Sequence, residues 1–531
     1  MTWLRWLENG FLVACLAIAL PVAGLAQAQA PVAPVDQASR EIRPARVTAP
    51  PRIDGRLDDE AWAAGALDIG EWTEGSPNYG RPAPYPTRAW VAYDAERLYL
   101  AFQCHDPDPV SLRRGVRRRD SGFGDDRVVV QLDPRNSRQR AIRLSSNADG
   151  SQMDVAVTRW NDDDAPDWVW ESAGRVTANG YVVEMSVPFA SIGVPGGASV
   201  RVPVLFWRLF TRRGVWATWP DVPDGQSTFD RSATLVLEDV PPQHVRELIP
   251  AATYSASQQR QAAGGFPPVS TDGSLGLTGK YGPRPDVILE ATLNPDFSQV
   301  ESDAYQVEVN QRYPIFYSEK RPFFMTGAEL YRLARVGFPQ NLSWGVHTRR
   351  IMDPAWGAKI TGSTGPATFA ALFAGDSAPG KSTAAGEPGA GTRELFGAGR
   401  VQVGLGSSRN VGVIVSTTSF GARRNVALGA DLSYRLAAGH LSALVIGTRT
   451  ETEGQPTLPS AAAGVGYYLR TRRVSIDAAA EHYGHSFAMD TAFVSQIGFT
   501  RVSSMNSLYF YPPSIPGVRA ASFWLWTAGV R

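Results

Sequence analysis

Asn425-Val426-Ala427-Leu428-Gly429-Ala430-Asp431-Leu432-Ser433-Tyr434-Arg435 is the stretch whose reading decides the fold. Val426, Leu428, Ala430, Leu432 and Tyr434 share one parity; Asn425, Ala427, Gly429, Asp431, Ser433 and Arg435 share the other. On a β-strand, successive side chains point to opposite faces, so one face here is apolar and the other small or polar. The same pattern recurs around Val474, Ile476, Ala478 and Ala480, and around Val287, Leu289, Ala291 and Leu293. Strands of soluble domains usually run to about 5–6 residues. Alternation sustained over about ten residues suits a strand that crosses a bilayer at a tilt. At roughly 20 residues per strand and turn, residues 245–531 predict about 14 antiparallel strands in a transmembrane β-barrel. Leu432 is then expected to face outward, and Asp431 to meet water or polar groups inside.

Working toward the N-terminus, the pattern shortens after Pro241-Pro242 is passed. Thr87 to Asp94, Leu98 to Cys104, Val128 to Asp133, Tyr181 to Val187 and Val202 to Phe206 are short strand patterns bounded by Pro, Gly, Asp and Asn. That spacing predicts a β-sandwich over residues 46–240. Residues 31–45 are rich in Pro and Ala and read as a linker. Phe11 to Ala26 is a long apolar run, too short for a bilayer span, with Arg5 before it and Ala26-Gln27-Ala28 after it. Residues 1–30 therefore read as a signal peptide, with cleavage expected after Ala28. The expected destination is the outer membrane, with lipid around the barrel and the sandwich in the periplasm or at the cell surface.

Composition narrows the function. The 531 residues carry 52 Lys+Arg against 51 Asp+Glu, a net charge of +1. Such balance argues against nucleic-acid binding through a broad basic face. Two cysteines, Cys15 and Cys104, rule out a disulfide scaffold and a Cys-rich zinc site. The histidines show no HExxH spacing, and there is no G-x-S-x-G elbow or P-loop.

Ile53-Asp54-Gly55-Arg56-Leu57-Asp58-Asp59-Glu60-Ala61-Trp62 resembles the opening of the family 9-like carbohydrate-binding modules. Tyr93-Asp94, Asp125-Asp126 to Asp133-Pro134, and Gly180 to Glu184 with Pro188-Phe189 follow in the same order. Asn294-Pro295-Asp296-Phe297-Ser298-Gln299-Val300-Glu301 and Glu319-Lys320-Arg321-Pro322-Phe323-Phe324 resemble the uncharacterised barrel family that follows such modules in Gram-negative bacteria. Barrels of that family tend to be longer and to end on an aromatic residue, whereas here Ala528-Gly529-Val530-Arg531 follow Phe523-Trp524-Leu525-Trp526. Closure of the barrel, or a truncated one, is left open by that departure.

The first resemblance implies a sugar clamped between two tryptophans, a role carried here to Trp72 and either Trp168 or Trp170. Trp160, Tyr79 and Asp167 lie in the same aromatic and acidic loops and complete the candidate carbohydrate site. It also implies structural calcium, for which Asp162, Asp163 and Asp164 are the candidate ligands, since calcium takes carboxylate and carbonyl oxygens. Trp62, Trp90 and Trp207, at or inside strands, are expected in the core. Arg113, Arg114, Arg117, Arg118 and Arg119 either contact an acidic sugar or lipopolysaccharide, or pair with Asp120, Asp125 and Asp126. In the barrel, Asn294, Asp296 and Glu301 mark a turn, and Glu319, Lys320 and Arg321 are three consecutive charges unlike a lipid-facing strand. They suit a plug or a rim.

The functional expectation is an outer-membrane protein that captures glycan on its sandwich and couples capture to uptake or display. The alternatives are a glycoside hydrolase using unidentified carboxylates, for which no catalytic domain is visible, and a structural outer-membrane protein without sugar binding.

Overall fold

The computed structural model describes residues 40–65, 71–75, 78–138, 140–158, 162–164, 166–224, 226–243, 245–258, 268–284, 286–295, 319, 321–337, 340–406, 409–436, 439–471, 473–511, 515, 518 and 521–531. The signal peptide, Trp160, Asp296, Glu301 and Lys320 lie outside these residues.

The fold is all-β. Its first unit contains β1 (Glu41–Ile42), β2 (Ala45–Arg46), β3 (Thr73–Glu74), β4 (Thr87–Tyr93), β5 (Arg97–His105), β6 (Arg127–Leu132), β7 (Arg140–Asn147), β8 (Gln152–Thr158), β9 (Asp162–Asp163), β10 (Glu171–Thr177), β11 (Gly180–Pro188), β12 (Gly197–Phe210), β13 (Val215–Trp219) and β14 (Ala233–Val240). They form a nine-stranded sheet with the path β1-β14-β12-β6-β7-β8-β9, and a five-stranded sheet ordered β10-β11-β5-β4-β2. The core lies between the sheets: Leu100, Phe102, Val183 and Met185 from one meet Val128, Val130, Leu144, Phe206 and Leu235 from the other. Each such side chain, fully buried, contributes about 1.5–3 kcal/mol. The outer face of the five-stranded sheet is closed by the helix Glu60–Gly65, which seats Trp62 on Ala92, Tyr99 and Ala101.

The N-terminal boundary needs correction. Within the expected linker over 31–45, Glu41–Ile42 pairs in parallel with β14, and Ala45–Arg46 pairs in parallel with β4. This short stretch therefore ties both sheets together rather than tethering them loosely.

The second unit is a meander of long strands: β15 (Arg246–Ser257), β16 (Ser270–Arg284), β17 (Val287–Leu293), β18 (Pro354–Thr364), β19 (Ala367–Asp376), β20 (Glu394–Gly404), β21 (Arg409–Phe420), β22 (Arg423–Arg435), β23 (His440–Thr452), β24 (Leu458–Arg470), β25 (Val474–Tyr483), β26 (Phe499–Phe510) and β27 (Ala521–Val530). These make one 13-stranded antiparallel sheet in sequence order, against about 14 strands expected. Among the described residues β15 pairs only with β16 and β27 only with β26, so the end strands do not join.

The alternation resolves as the sequence implies. Asn425, Ala427, Asp431 and Ser433 are buried, while Leu428 is 61% exposed on the outer face. On β21, Val411, Val413 and Val415 face outward, and Ile414 and Ser416 face inward. The inner face is not a watery lumen. Residues 321–337, 340–351 and 484–498, from the connections after β17 and β25, fold against it as a plug. Val336, Leu342, Phe487 and Met489 form an apolar cluster with Ile414, Leu444 and Ile446 of the sheet. Gly466 permits the approach: a Cβ there would stand 2.5 Å from the Val336 carbonyl oxygen.

Asp431 shows what the inner face meets. It is 4% exposed, accepts from Arg400 Nη2 at 2.8 Å, and accepts from the Ala334 N–H of the plug at 2.7 Å. Its inward direction and its polar partners are as the sequence predicts.

Candidate functional site: the sandwich face toward the barrel

The family motif at the start of the sandwich is explained by one carboxylate. Glu184 accepts from the N–H groups of Gly55 (2.5 Å), Asp54 (2.9 Å) and Arg56 (3.2 Å), and from Trp62 Nε1 (2.7 Å). Burial pushes its pKa up, and these donors pull it back. Gly55 has φ +81°, a conformation that strains other residues. The motif is thus a structural clasp between the opening turn and β11.

The sugar clamp read from the sequence does not assemble. Trp72 is 3% exposed, stacked on Phe206 (6.3 Å, 27°) and edge-on to Phe102 (6.4 Å). Trp170 is also core, and its carbonyl accepts from Gln152 Nε2. Trp168 packs against the same core, its N–H donating to Asp154 Oδ2 at 2.7 Å. Trp72 packs on β12 and Trp168 is held by β8, three strands along the sheet path. Tyr79 is half-buried, its ring perpendicular to Trp216.

The calcium candidates also separate. Asp162 and Asp163 are consecutive on β9 and point to opposite faces. Asp162 pairs with Arg143 at 2.7 Å, and Asp164 is exposed. The carboxylates that converge are Asp120, Asp154 and Asp167, with ligand atoms within 4.8 Å of one another. Arg119 stands among them, 2.6 Å from Asp154 and 3.0 Å from Asp167. Burial raises the Asp120 pKa to about 6, with Asp154 and Asp167 adding to the rise. Within the arginine run, Arg114 pairs with Asp149, Arg117 with Asp125 and Arg119 with Asp154.

A different group comes together on the outer face of the nine-stranded sheet. On β12, Phe206 turns into the core and Trp207 turns out, where it is partly exposed. This corrects the expectation that Trp207 is core. The Arg143 guanidinium lies 5.2 Å over the Trp207 ring. It donates to Gln131 Oε1 at 3.2 Å and to Asp162 Oδ2 at 2.7 Å. Thr228 Oγ1 donates to the same Gln131 oxygen at 3.3 Å. Gln131 and Arg143 are cross-strand partners on β6 and β7, so the register places them on one face. The arrangement offers a partly exposed indole beside guanidinium and carboxylate, with the buried Gln131 amide holding Arg143 in place. Parity was the signal available in the sequence: Trp207 is out of phase with Val202, Val204 and Phe206.

This face borders the barrel. Asp230, two residues beyond Thr228, pairs with Arg435 at the end of β22. Asp163 lies within electrostatic reach of Arg332 in the plug. Arg135 Nη1 donates to Ser363 Oγ at 2.6 Å, and Arg140 Nη2 to Gln402 Oε1 at 3.0 Å. These barrel contacts sit at the ends of β18, β20 and β22, where the connections 364–367, 404–409 and 435–440 are short.

In the plug, Glu319 and Arg321 form one buried knot. Arg321 donates to Glu319 Oε1 and Oε2 at 2.8 and 2.7 Å, and to the Ile351 and Thr348 carbonyls. Phe323 and Phe324 are buried beside it. Lys359 of β18 donates to the Phe323 and Thr326 carbonyls and pairs with Glu290 at 3.2 Å. Asn294 has φ +43° and donates through Nδ2 to the Leu275 carbonyl at 2.9 Å, ending β17.

Residues 53–224 match the carbohydrate family 9 binding domain-like family. Residues 246–342 match a domain of unknown function, DUF5916. Among solved structures, a family 9 carbohydrate-binding module from Caldicellulosiruptor kristjanssonii, in complex with glucose, is 15% identical. The match covers 38% of this chain and 97% of that one, with a TM-score of 0.27. OpdL of Pseudomonas aeruginosa is 10% identical over 76% of this chain and 92% of its own (TM-score 0.23). OccAB3 of Acinetobacter baumannii is 8% identical over 74% and 77% (TM-score 0.25). No curated protein matches the chain.

Proposed function

We propose that this protein resides in the outer membrane and binds saccharide on its sandwich at the mouth of the barrel. The observation that carries the reading is the placement of the Trp207–Arg143–Gln131 surface beside the strand ends that the sandwich contacts. An indole supports the C–H face of a sugar ring, and the surrounding donors and acceptors suit its hydroxyls. The family 9 relatives, titled as complexes with glucose and cellotriose, support a saccharide as the ligand class.

Membrane residence is supported by the outward apolar belt that includes Leu275, Val413, Leu428, Val445 and Phe523. Outer-membrane barrels keep their short turns in the periplasm and their longer loops outside. The contact of the sandwich with the short-turn end supports a periplasmic place for it, with the plug-forming connections entering from the external side. An export signal at residues 1–30 completes the route.

The test is titration of the detergent-solubilised full-length protein with cello-oligosaccharides. Trp207→Ala should weaken binding by about 1–3 kcal/mol, as loss of an aromatic anchor does. Trp72→Phe, a change in the core, should leave affinity within twofold. Loss of affinity in Trp72→Phe but not in Trp207→Ala would overturn the assignment.

A further inference from the structure

Arg400 stands out among the buried charges of the barrel. It lies on the inner face of β20, 3% exposed, with Nη2 on both oxygens of Asp431. Its Nε and Nη1 are buried, and no group among the described residues accepts from them. A buried unmade hydrogen bond costs more than most made ones contribute, so such a group implies something that completes it. Gln402, two residues along the same strand and face, accepts from Arg140 of the sandwich at 3.0 Å. Burial holds the Arg140 guanidinium down to about 10; Glu329 of the plug raises it, while Arg400 and Arg135 push it further down. The hydrogen bond to Gln402 brings the Arg140 guanidinium to the same face of β20 as Arg400, which holds two idle donors. Arg143 of the saccharide surface lies three residues from Arg140 on β7, roughly 10 Å along the strand.

We propose that Arg140 and Arg400 together bind an oxyanion, the carboxylate of an acidic saccharide, at the junction of sandwich and barrel. Each idle N–H of Arg400 can give a carboxylate oxygen one charge-assisted hydrogen bond. The inference rests on the saccharide reading above and adds charge to the ligand.

The probes are trigalacturonate, its fully methyl-esterified and hence neutral form, and inorganic sulfate. Each is titrated into the full-length protein in detergent. The acid should bind about tenfold or more tighter than the ester, a difference of about 1.4 kcal/mol. Arg140→Gln should remove that preference while leaving the ester's affinity unchanged. Arg400→Lys keeps a cation against Asp431 but deletes the idle donors, and should do the same. Equal binding of acid and ester would overturn the inference and leave the saccharide reading standing. A preference that survives in Arg400→Lys would also overturn it. Sulfate that binds as tightly as the acid trimer and displaces it would assign the site to a free anion. Failure of both trimers to bind would remove the saccharide reading as well.

Discussion

The two halves of this chain use the same two-residue period and point it in opposite directions. In the sandwich, Phe206, Val130 and Leu144 turn toward a partner sheet, and the polar residues Gln131 and Arg143 turn away. In the barrel-type sheet, Val413 and Leu428 turn out, and Asp431, Lys359 and Arg400 turn in. The difference lies in what each inner face must satisfy. Two apolar faces satisfy one another by contact alone. A polar inner face needs partners, which the plug and the neighbouring strands supply: Arg400 with Asp431, Lys359 with Glu290, Arg501 with Glu481. The sandwich satisfies its buried charges in the same way: Arg208, 1% exposed, donates to the Pro86 and His105 carbonyls and to Thr87 Oγ1, and Glu184, 0% exposed, accepts from the opening turn.

The contrast breaks most visibly at the inner pair. Asp431→Leu leaves Arg400 buried beside an apolar group and removes the acceptor for the Ala334 N–H. A loss of about 3–5 kcal/mol is expected, since removing one partner of a buried pair costs that much. Heat-modifiable gel migration of outer-membrane fractions would register it as loss of the folded band. Retention of wild-type migration would mean that water reaches Arg400 and that the plug does not seal the site.

One residue further on, the other face is tested. Leu432→Arg places a charge on the outward surface and should cost about 2–4 kcal/mol if that position is near the bilayer midplane. The same gel assay reads it, and full tolerance would count against lipid on this face.

In the sandwich the outward face is polar, so changes there should affect ligand rather than fold. Arg143→Ala should weaken cello-oligosaccharide binding by about 1.5–3 kcal/mol, the value of one hydrogen bond to a charged group. Thermal unfolding of the sandwich should shift little. A large fall in Tm with unchanged affinity would make Arg143 a structural brace on Trp207.

The smallest effect expected is one of pH. Asp120 has a folded pKa of about 6 against 3.8 unfolded, raised chiefly by burial. Between those values the folded state binds the extra proton, so stability falls as pH rises from 4 toward 6. Asp120→Asn should flatten that slope and raise stability modestly at pH 7. A slope unchanged in the variant would place the titration elsewhere.

Much of this was legible beforehand because periodicity is a local property. The outward Leu432 and inward Asp431, the change of character after Pro241-Pro242, and the two-unit order all follow from side-chain parity and turn residues, which the chain carries residue by residue. Local composition was a poorer guide to the binding surface. Trp72, Trp168 and Trp170 sit in polar-looking loops, yet the core takes them, because burial depends on what packs above a residue. Trp207 sits in an apolar run, yet its parity turns it away from the core, where Arg143 and Gln131 arrive from strands 60 to 80 positions earlier in the chain. The acidic triplet at Asp162 likewise looked like one site and is split by a strand.

By itself the sequence determined the all-β class, the length of the strands and the face each residue presents, because these depend on steric alternation within a few residues. Only the tertiary structure decided that a plug packs on the barrel's polar face, that Asp431 belongs to Arg400, and that the sandwich lays its Trp207 face beside the short-turn end. The reason is physical: a polar side chain's energy is set by the partner that reaches it, and those partners come from chain segments that alternation cannot see.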